Sequence, residues 1–161
     1  MLSTPNMPEP EPTPVPDGFQ PLVRSGAWSS GLGPLYRRIR DDGAWVIGLV
    51  VDERHLNMQG MAHGGMLATL ADSALGMNIA VARGTREAQV TVSLTMDYLA
   101  GARRGDWLEA HVTVTRMGRT MAFANCDLRV GARQVLRSSA VFAFVDRPPL
   151  PAREGLPGSD G

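Results

Sequence analysis

Hydrophobic and polar residues change their spacing along the chain, and each spacing predicts a different element. Residues 44–52 form a short apolar run rich in β-branched side chains, which is typical of a buried strand. A glycine-containing loop follows, and residues 66–82 then repeat apolar side chains at helical spacing. Almost no charge falls between residues 64 and 82, so we expect this helix to lie inside the protein.

Four strand-like segments follow the predicted helix, with only short turns between them. They cover residues 88–99, 108–117, 119–129 and 134–145. In the first of them two sets of side chains alternate: Val90, Val92, Leu94, Met96 and Tyr98 on one face, Thr91, Ser93, Thr95 and Asp97 on the other. Short links predict an antiparallel meander, and the apolar helix must be covered by it. The predicted fold class is α+β, a curved antiparallel sheet wrapped around one long central helix.

The two ends of the chain are rich in proline and poor in large apolar side chains. Residues 1–30 are predicted to be a disordered arm and residues 148–161 a flexible tail, which leaves one domain over 31–147. Residues 1–20 lack the pattern of a signal peptide, and residues 56–82 are too polar for a good membrane span. We therefore expect a cytoplasmic protein that binds no membrane.

Composition and charge narrow the possible partners. The 161 residues are 43% apolar, and 16 basic residues balance 16 acidic ones, which argues against binding of nucleic acid. Cys126 is the single cysteine, so an intrachain disulfide and a cysteine metal cluster are excluded. The three histidines match no metal-ligand spacing. We expect neither a metal nor a cofactor.

An open sheet of this kind has edge strands, and nothing else in the chain is available to cover them. Pairing of an edge with a second copy of the chain would satisfy its free backbone groups. We therefore predict a homodimer, on the sheet pattern alone.

The junction between the loop and the helix is a candidate site. The sequence Asn57-Met-Gln-Gly-Met-Ala-His-Gly64-Gly65 ends on two glycines that expose backbone N–H groups at the positive end of the helix dipole. A carbonyl placed there could be polarised by the Gly64 N–H, as in an oxyanion hole. A close-packed turn is the alternative explanation of the glycine pair.

Asp72 is the only acidic residue in the predicted helix, among apolar neighbours. Such a carboxylate either binds backbone or hydroxyl groups for structural reasons, or acts as a general base or nucleophile. Asp72 follows Gly64 by eight residues, roughly 12 Å along a helix. The two groups could act on one carbonyl only if they came from different subunits, as in antiparallel helices across a two-fold axis.

These residues together resemble a known family. Asn57, His63-Gly64-Gly65 and Asp72 resemble the motif of the hotdog-fold acyl-CoA thioesterases, most closely the PaaI-like branch of the phenylacetate pathway and of thioesterase superfamily member 2. The resemblance covers residues 35–146. It implies a homodimer with shared active sites that assembles as a dimer of dimers, and an acyl-CoA substrate.

The resemblance also implies roles for individual residues. The Gly64 N–H would polarise the thioester carbonyl, with Gly65 beside it, and Asn57 would help to hold the reacting groups. Asp72 of the other subunit would activate water or attack directly, and Thr91 would orient the water. His63 would sit beside the carbonyl, either in a contact with the loop backbone or in a catalytic role.

Arginine is the only basic residue type, and the nucleotide phosphates of coenzyme A need cations. Arg119 matches a basic position that the family places beside the coenzyme A entrance. Arg103 and Arg104 are further candidates, as are Arg83, Arg86 and Arg116, although each could equally be a solvated loop side chain. Four methionines near the helix could line an acyl pocket or simply fill the core: Met58, Met61, Met66 and Met77.

The predicted function is hydrolysis of an aryl- or medium-chain acyl-CoA to free acid and coenzyme A, the latter being part of the substrate. Two alternatives remain open: a non-catalytic dimer that binds acyl-CoA, and a dehydratase or hydratase on the same fold. A serine hydrolase is rejected because no G-x-S-x-G sequence occurs.

Overall fold

The computed structural model describes residues 13–23, 27–85 and 87–146. Its elements follow in this order: β1 (Gln20–Pro21), α1 (Ala27–Ser30), β2 (Tyr36–Ile39), β3 (Trp45–Val50), a 3-10 turn (Glu53–His55), α2 (Gly64–Arg83), β4 (Ala88–Tyr98), β5 (Trp107–Met117), β6 (Met121–Val130) and β7 (Arg133–Val145). The strands form one antiparallel sheet in the order β1-β2-β3-β5-β6-β7-β4, and α2 packs on it. The α+β fold of one long helix on a large antiparallel sheet is confirmed.

The central helix α2 has a defined signal at each end. The side chain of His63 caps its first turn, and Gly84 ends it in the left-handed conformation, with φ +69°. Its buried side chains face the sheet: Leu67, Leu70, Ala71, Ala74, Leu75, Asn78 and Ile79. In length and composition α2 could also cross a membrane, contrary to the expectation that residues 56–82 are too polar for a span; the core helix of a soluble protein passes the same test.

The order of the strands corrects one expectation. Strands β5, β6 and β7 form a meander, but β4 pairs with β7 at the sheet edge, and β5 pairs with β3. The predicted four-strand meander is therefore wrong at its first link. The reason is that α2 joins β3 to β4 across the face of the sheet. Strand β4 therefore pairs with β7 at the far edge, and the free side of β3 pairs with β5.

A bulge in β4 changes which side chains face the helix. Thr91 pairs with Phe142 and Ser93 pairs with Val141, so Val92 is an extra residue without a partner on β7. Before the bulge Thr91 contacts the helix, and after it even-numbered residues do, Tyr98 among them. The strict alternation predicted from the sequence, which separated Thr91 from Tyr98, is therefore wrong at this point.

The first part of the chain differs from the disordered arm that was expected over residues 1–30. Within residues 13–23, β1 pairs with β2, and the Phe19 ring packs edge-on against Trp107 with ring centroids 5.0 Å apart. Thr13 also donates a hydrogen bond of 2.7 Å to the carbonyl of Gly105. Aromatic packing on the sheet gives this proline-rich stretch a fixed place. Residues 1–12 and the predicted tail over 148–161 lie outside the described residues.

Candidate active site

The loop before α2 is shaped by the side chain of Asn57. Its Oδ1 accepts hydrogen bonds from the backbone N–H groups of Gln59 (2.9 Å) and Met61 (3.2 Å). The Asn57 N–H donates to the carbonyl of Met61 (2.8 Å), and Gly60 takes the positive φ of +73° that closes the turn. Asn57 therefore holds the loop that leads to the helix start.

His55 stabilises this loop, although its sequence context did not indicate a site role for it. It is buried, its Nδ1 accepts a hydrogen bond of 2.9 Å from the Asp52 N–H, and its Nε2 lies 2.8 Å from the carbonyl of Leu32. Because Nδ1 accepts this hydrogen bond, Nε2 is the ring nitrogen that donates to the Leu32 carbonyl. The backbone carbonyl of His55 also accepts from the N–H of His63 (2.7 Å). The capping pattern from Asp52 to His55 is the sequence signal that could have identified this contact.

The hydrogen bonds at the start of α2 leave one donor available. The N–H of Gly65 donates to Nδ1 of His63 (2.9 Å), and the N–H groups of Met66 and Leu67 donate to the His63 carbonyl. Within the described part of the chain, the N–H of Gly64 donates no hydrogen bond. Of the first four N–H groups of the helix, three donate to His63, and among the described residues only that of Gly64 has no acceptor and can bind a carbonyl oxygen.

His63 is placed as the cap of the helix and thus contacts the loop backbone, one of the two roles considered for it. Because its Nδ1 accepts the Gly65 N–H, Nε2 is the ring nitrogen left to donate. The structure shows that Gly65 uses its N–H inside the protein, so this group is not available to a substrate.

Tyr98, at the end of β4, is a site residue that the sequence analysis did not single out. Its hydroxyl donates a hydrogen bond of 3.1 Å to the Gly64 carbonyl, and its ring lies over Gly64. A Cβ atom added at Gly64 would come within 3.3 Å of this ring. A glycine is therefore the residue that fits best between Tyr98 and the helix start.

Asp72 and Thr91 are brought together within one chain. The Thr91 hydroxyl donates a hydrogen bond of 2.8 Å to Oδ1 of Asp72, which is half-buried on α2. Oδ2 of Asp72 has no hydrogen-bond partner in the described ranges. The carboxylate is thus oriented by one hydroxyl and keeps one oxygen for a water molecule or a substrate.

Gly64 and Asp72 stay apart within one chain. Both lie on α2, which is continuous from Gly64 to Arg83, so the helix holds them about 12 Å apart along its axis. Across the sheet, β4 is an edge strand that pairs only with β7 among the described strands. A single chain therefore presents two half-sites and a long unpaired edge beside them.

The candidate phosphate-binding arginines fall into two groups. Arg119, Arg103 and Arg116 make no hydrogen bond through their side chains to any described residue, and all three are exposed. Arg104 pairs with Glu53 at 3.1 Å. Arg86 lies outside the described residues.

Arg83 is engaged inside the protein. It binds Glu87 (2.9 Å) and donates to the carbonyls of Gly118 (2.8 Å) and Arg119 (3.1 Å). Its guanidinium also lies 4.2 Å from the centroid of the Phe144 ring. Arg83 therefore holds the turn that presents Arg119 and is not itself a free cation.

The remaining candidates are placed as follows. Met66 and Met77 pack against the core, whereas Met58 is fully exposed at the tip of the loop.

Burial raises the pKa of the Cys126 thiol to about 12, and the neighbouring charge of Asp127 adds to this effect. Among residues 13–23, 27–85 and 87–146, no three side chains of the types that ligate metals come together.

Comparisons with known proteins agree on one family. The thioesterase superfamily matches residues 59–136. A Pseudomonas aeruginosa protein named as an esterase is 46% identical over 128 residues, which are 80% of this chain and 96% of that protein. Acyl-coenzyme A thioesterase 13 of Mus musculus is 35% identical over 79 residues, 48% of this chain and 55% of its own length.

A solved structure extends the agreement to the fold. The crystal structure of zebra fish thioesterase superfamily member 2 is similar with a TM-score of 0.68 and 29% sequence identity, and the likeness covers 75% of this chain and 88% of that one. The matched residues 59–136 include the free N–H of Gly64 and the pair of Asp72 with Thr91. With its single helix on an antiparallel sheet, the chain belongs to the thioesterase superfamily and has the hotdog fold.

Proposed function

We propose that the protein hydrolyses acyl-CoA thioesters to a free acid and coenzyme A. The observation that carries this proposal is the free N–H of Gly64 at the positive end of α2. A backbone N–H in that position can stabilise the negative charge that develops on a carbonyl oxygen during acyl transfer. The name of acyl-coenzyme A thioesterase 13 supports the substrate class, and that of thioesterase superfamily member 2 supports thioester hydrolysis.

Asp72 supplies the second half of the chemistry. Its free Oδ2 takes a proton from water, and the water oxygen attacks the carbonyl carbon. The carbon–sulfur bond then breaks, and the coenzyme A thiolate leaves with the proton that Asp72 gives back. The Thr91 hydroxyl, bonded to Oδ1, holds the carboxylate in place for this step. Attack by Asp72 itself would give a mixed anhydride that water then opens.

The active site is completed by a second copy of the chain. Pairing of two β4 edges would set the two α2 helices antiparallel and bring Gly64 of one protomer towards Asp72 of its partner. Each dimer would then hold two shared sites, and we expect dimers to pair further into a tetramer. Asn57 and His63 would stand on the side of Gly64, as the residues that form its loop and cap.

The acyl group is proposed to be aryl or medium-chain, and the nucleotide to bind at exposed arginines. Arg119 and Arg103 have free guanidinium groups in the described part of the chain, which suits bidentate binding of phosphate. Arg104 would first have to break its ion pair with Glu53, so we expect it to contribute less to phosphate binding than Arg119 and Arg103.

The test is an assay of thiol release with phenylacetyl-, benzoyl-, hexanoyl-, decanoyl- and palmitoyl-CoA. We expect turnover of at least one of them and its loss in Asp72→Asn. If none is hydrolysed while coenzyme A binds by calorimetry, the protein is a binding dimer. Hydration of an enoyl-CoA without thiol release would identify a hydratase instead.

One turnover in water labelled with oxygen-18 separates the two roles of Asp72. If Asp72 activates water, the label enters the acid in the first turnover. If Asp72 attacks and water opens the anhydride at the Asp72 carboxyl carbon, the first acid takes its new oxygen from the unlabelled enzyme and the label stays on Asp72, so an unlabelled first acid identifies attack by Asp72. Excess enzyme over substrate and mass spectrometry of the acid give the answer directly.

A further inference from the structure

One peptide group at the helix start is held from both ends. It joins Gly64 to Gly65: its carbonyl accepts the hydroxyl of Tyr98 (3.1 Å), and its N–H donates to Nδ1 of His63 (2.9 Å). The chain of bonds runs from the Tyr98 hydroxyl through the peptide to the imidazole. Hydrogen bonds linked in this way strengthen one another.

This peptide lies directly next to the donor that the proposed reaction uses. The free N–H of Gly64 belongs to the preceding peptide, which joins His63 to Gly64. Rotation about the backbone bonds of Gly64 therefore changes the angle between this N–H and the hydrogen-bonded peptide that follows it. Glycine has the widest range of such rotations because it has no Cβ. The contacts of Tyr98 and His63 limit this range, and the Tyr98 ring over Gly64 limits it further.

We propose that Tyr98 is a positioning residue for the oxyanion-binding N–H of Gly64. This role rests on the proposed thioester hydrolysis. The hydroxyl of Tyr98 keeps the peptide between Gly64 and Gly65 in one orientation, so the N–H of Gly64 points at the same place before and after the substrate arrives. Donors that are oriented in advance stabilise a transition state better than donors that must turn towards it.

The surroundings of Tyr98 separate positioning from simple stabilisation. In the single chain Tyr98 is 54% exposed, and its hydrogen bond to the Gly64 carbonyl lies at the surface, so water can replace a lost hydroxyl. The contact also joins two different elements, the end of β4 and the start of α2, at the point where the site must be rigid. The hydroxyl can therefore matter for the rate while it contributes little to folding.

The experiment compares Tyr98→Phe with the wild-type protein in the thiol-release assay. The variant keeps the ring and loses only the hydroxyl. We expect kcat to fall about 3- to 10-fold, the range of one hydrogen bond, with KM and Tm unchanged. Tyr36→Phe is the matched control: Tyr36 is the other tyrosine of the chain, its ring packs near Trp107, and its variant should keep the wild-type kcat.

Tyr98→Ala separates the ring from the hydroxyl. It should lower kcat further than Tyr98→Phe because the ring that limits the movement of Gly64 is lost as well. Equal kcat in wild-type protein and Tyr98→Phe would overturn the role of Tyr98 and leave the hydrolase proposal standing. A lower Tm together with the lower kcat in Tyr98→Phe would show that the hydroxyl stabilises the fold, and this outcome would also overturn the role. A wild-type protein without thioesterase activity would overturn both proposals together.

Discussion

The carboxylate of Asp72 accepts a 2.8 Å hydrogen bond from the hydroxyl of Thr91, and a single extra residue in β4 makes this contact possible. Without the bulge at Val92, Thr91 would stand on the face opposite to Met96 and Tyr98. With it, Thr91 and Tyr98 both reach α2, one at Asp72 and the other at Gly64. Because of the bulge, β4 contacts α2 at both residues that the proposed reaction uses, Asp72 and Gly64.

Asp72→Asn tests the general base. The amide has the shape of the carboxylate but cannot take a proton from water, so kcat should fall by about 10² to 10⁴ with little change in KM. Steady-state kinetics on the best acyl-CoA measures both. A folded variant with near-normal kcat and an altered Tm would mean that Asp72 serves only packing.

Thr91→Val tests the orienting hydroxyl. Valine has nearly the same shape, and the variant should lose less than Asp72→Asn because the base itself remains: we expect about a 5- to 50-fold lower kcat. The matched control is Thr95→Val. Thr95 is an exposed threonine of the same strand, beyond the bulge, and its hydroxyl lies 3.4 Å from the carbonyl of Ser139. A kcat for Thr95→Val as low as that of Thr91→Val would show that any change in β4 disturbs the site.

Mixing of inactive variants tests the site shared between subunits. Gly64→Val blocks the carbonyl side, and Asp72→Asn removes the base. A refolded equal mixture should regain about a quarter of the wild-type activity, because half of the dimers are mixed and each of those has one intact site. Asp72→Asn mixed with Asp72→Ala is the control and should stay inactive. Absence of recovery in mixed dimers, verified by mass spectrometry, would argue for sites within one chain.

Arg119→Ala tests binding of the nucleotide. Its guanidinium is free among the described residues, so its loss should raise KM for acyl-CoA about 5- to 30-fold with kcat unchanged. The KM for an acyl-pantetheine, which lacks the nucleotide, should not move. Arg104→Ala, whose side chain is paired with Glu53, should change KM less. The same KM increase for both substrates would place Arg119 elsewhere in the site.

The single cysteine should not interfere with assays that trap free thiol. Burial raises the pKa of Cys126 to about 12, so its thiol stays protonated at pH 8 in the folded protein. We expect no reaction with a disulfide reagent in native protein and one thiol per chain in guanidinium. Cys126→Ala supplies the blank. Fast reaction of the native protein would mean that β6 opens readily.

Gly48→Ala tests the packing that supports the sheet. A Cβ atom at Gly48 would overlap the six-membered part of the Trp107 ring, so the variant should lose about 1 to 3 kcal/mol of stability. Trp107→Phe removes those ring atoms, and the double variant should lose less than the sum of the two single changes. Denaturant unfolding measures all three. Strict additivity would show that the two residues do not meet.

Local patterns in the sequence were sufficient to predict β3, α2 and the strands β4 to β7, and they indicated Gly64 and Asp72 as candidate site residues. The apolar spacing of residues 66–82 predicts α2 within two residues of its observed bounds, since helical periodicity is a local property. The glycine pair at the helix start likewise indicated a free N–H, because helix ends leave such groups unpaired in any fold. Asp72 was visible as a charge in an apolar helix.

Contacts between distant residues were decided only by the tertiary structure. The place of β4 beyond β7 depends on the path of α2 across the sheet, and the contact of Thr91 with Asp72 depends on a bulge that shifts the alternation by one residue. The roles of His55 and Tyr98 depend on segments that meet only after folding. Periodicity reports the environment of a residue within its own element, whereas the pairing of elements is set by the packing of the whole core.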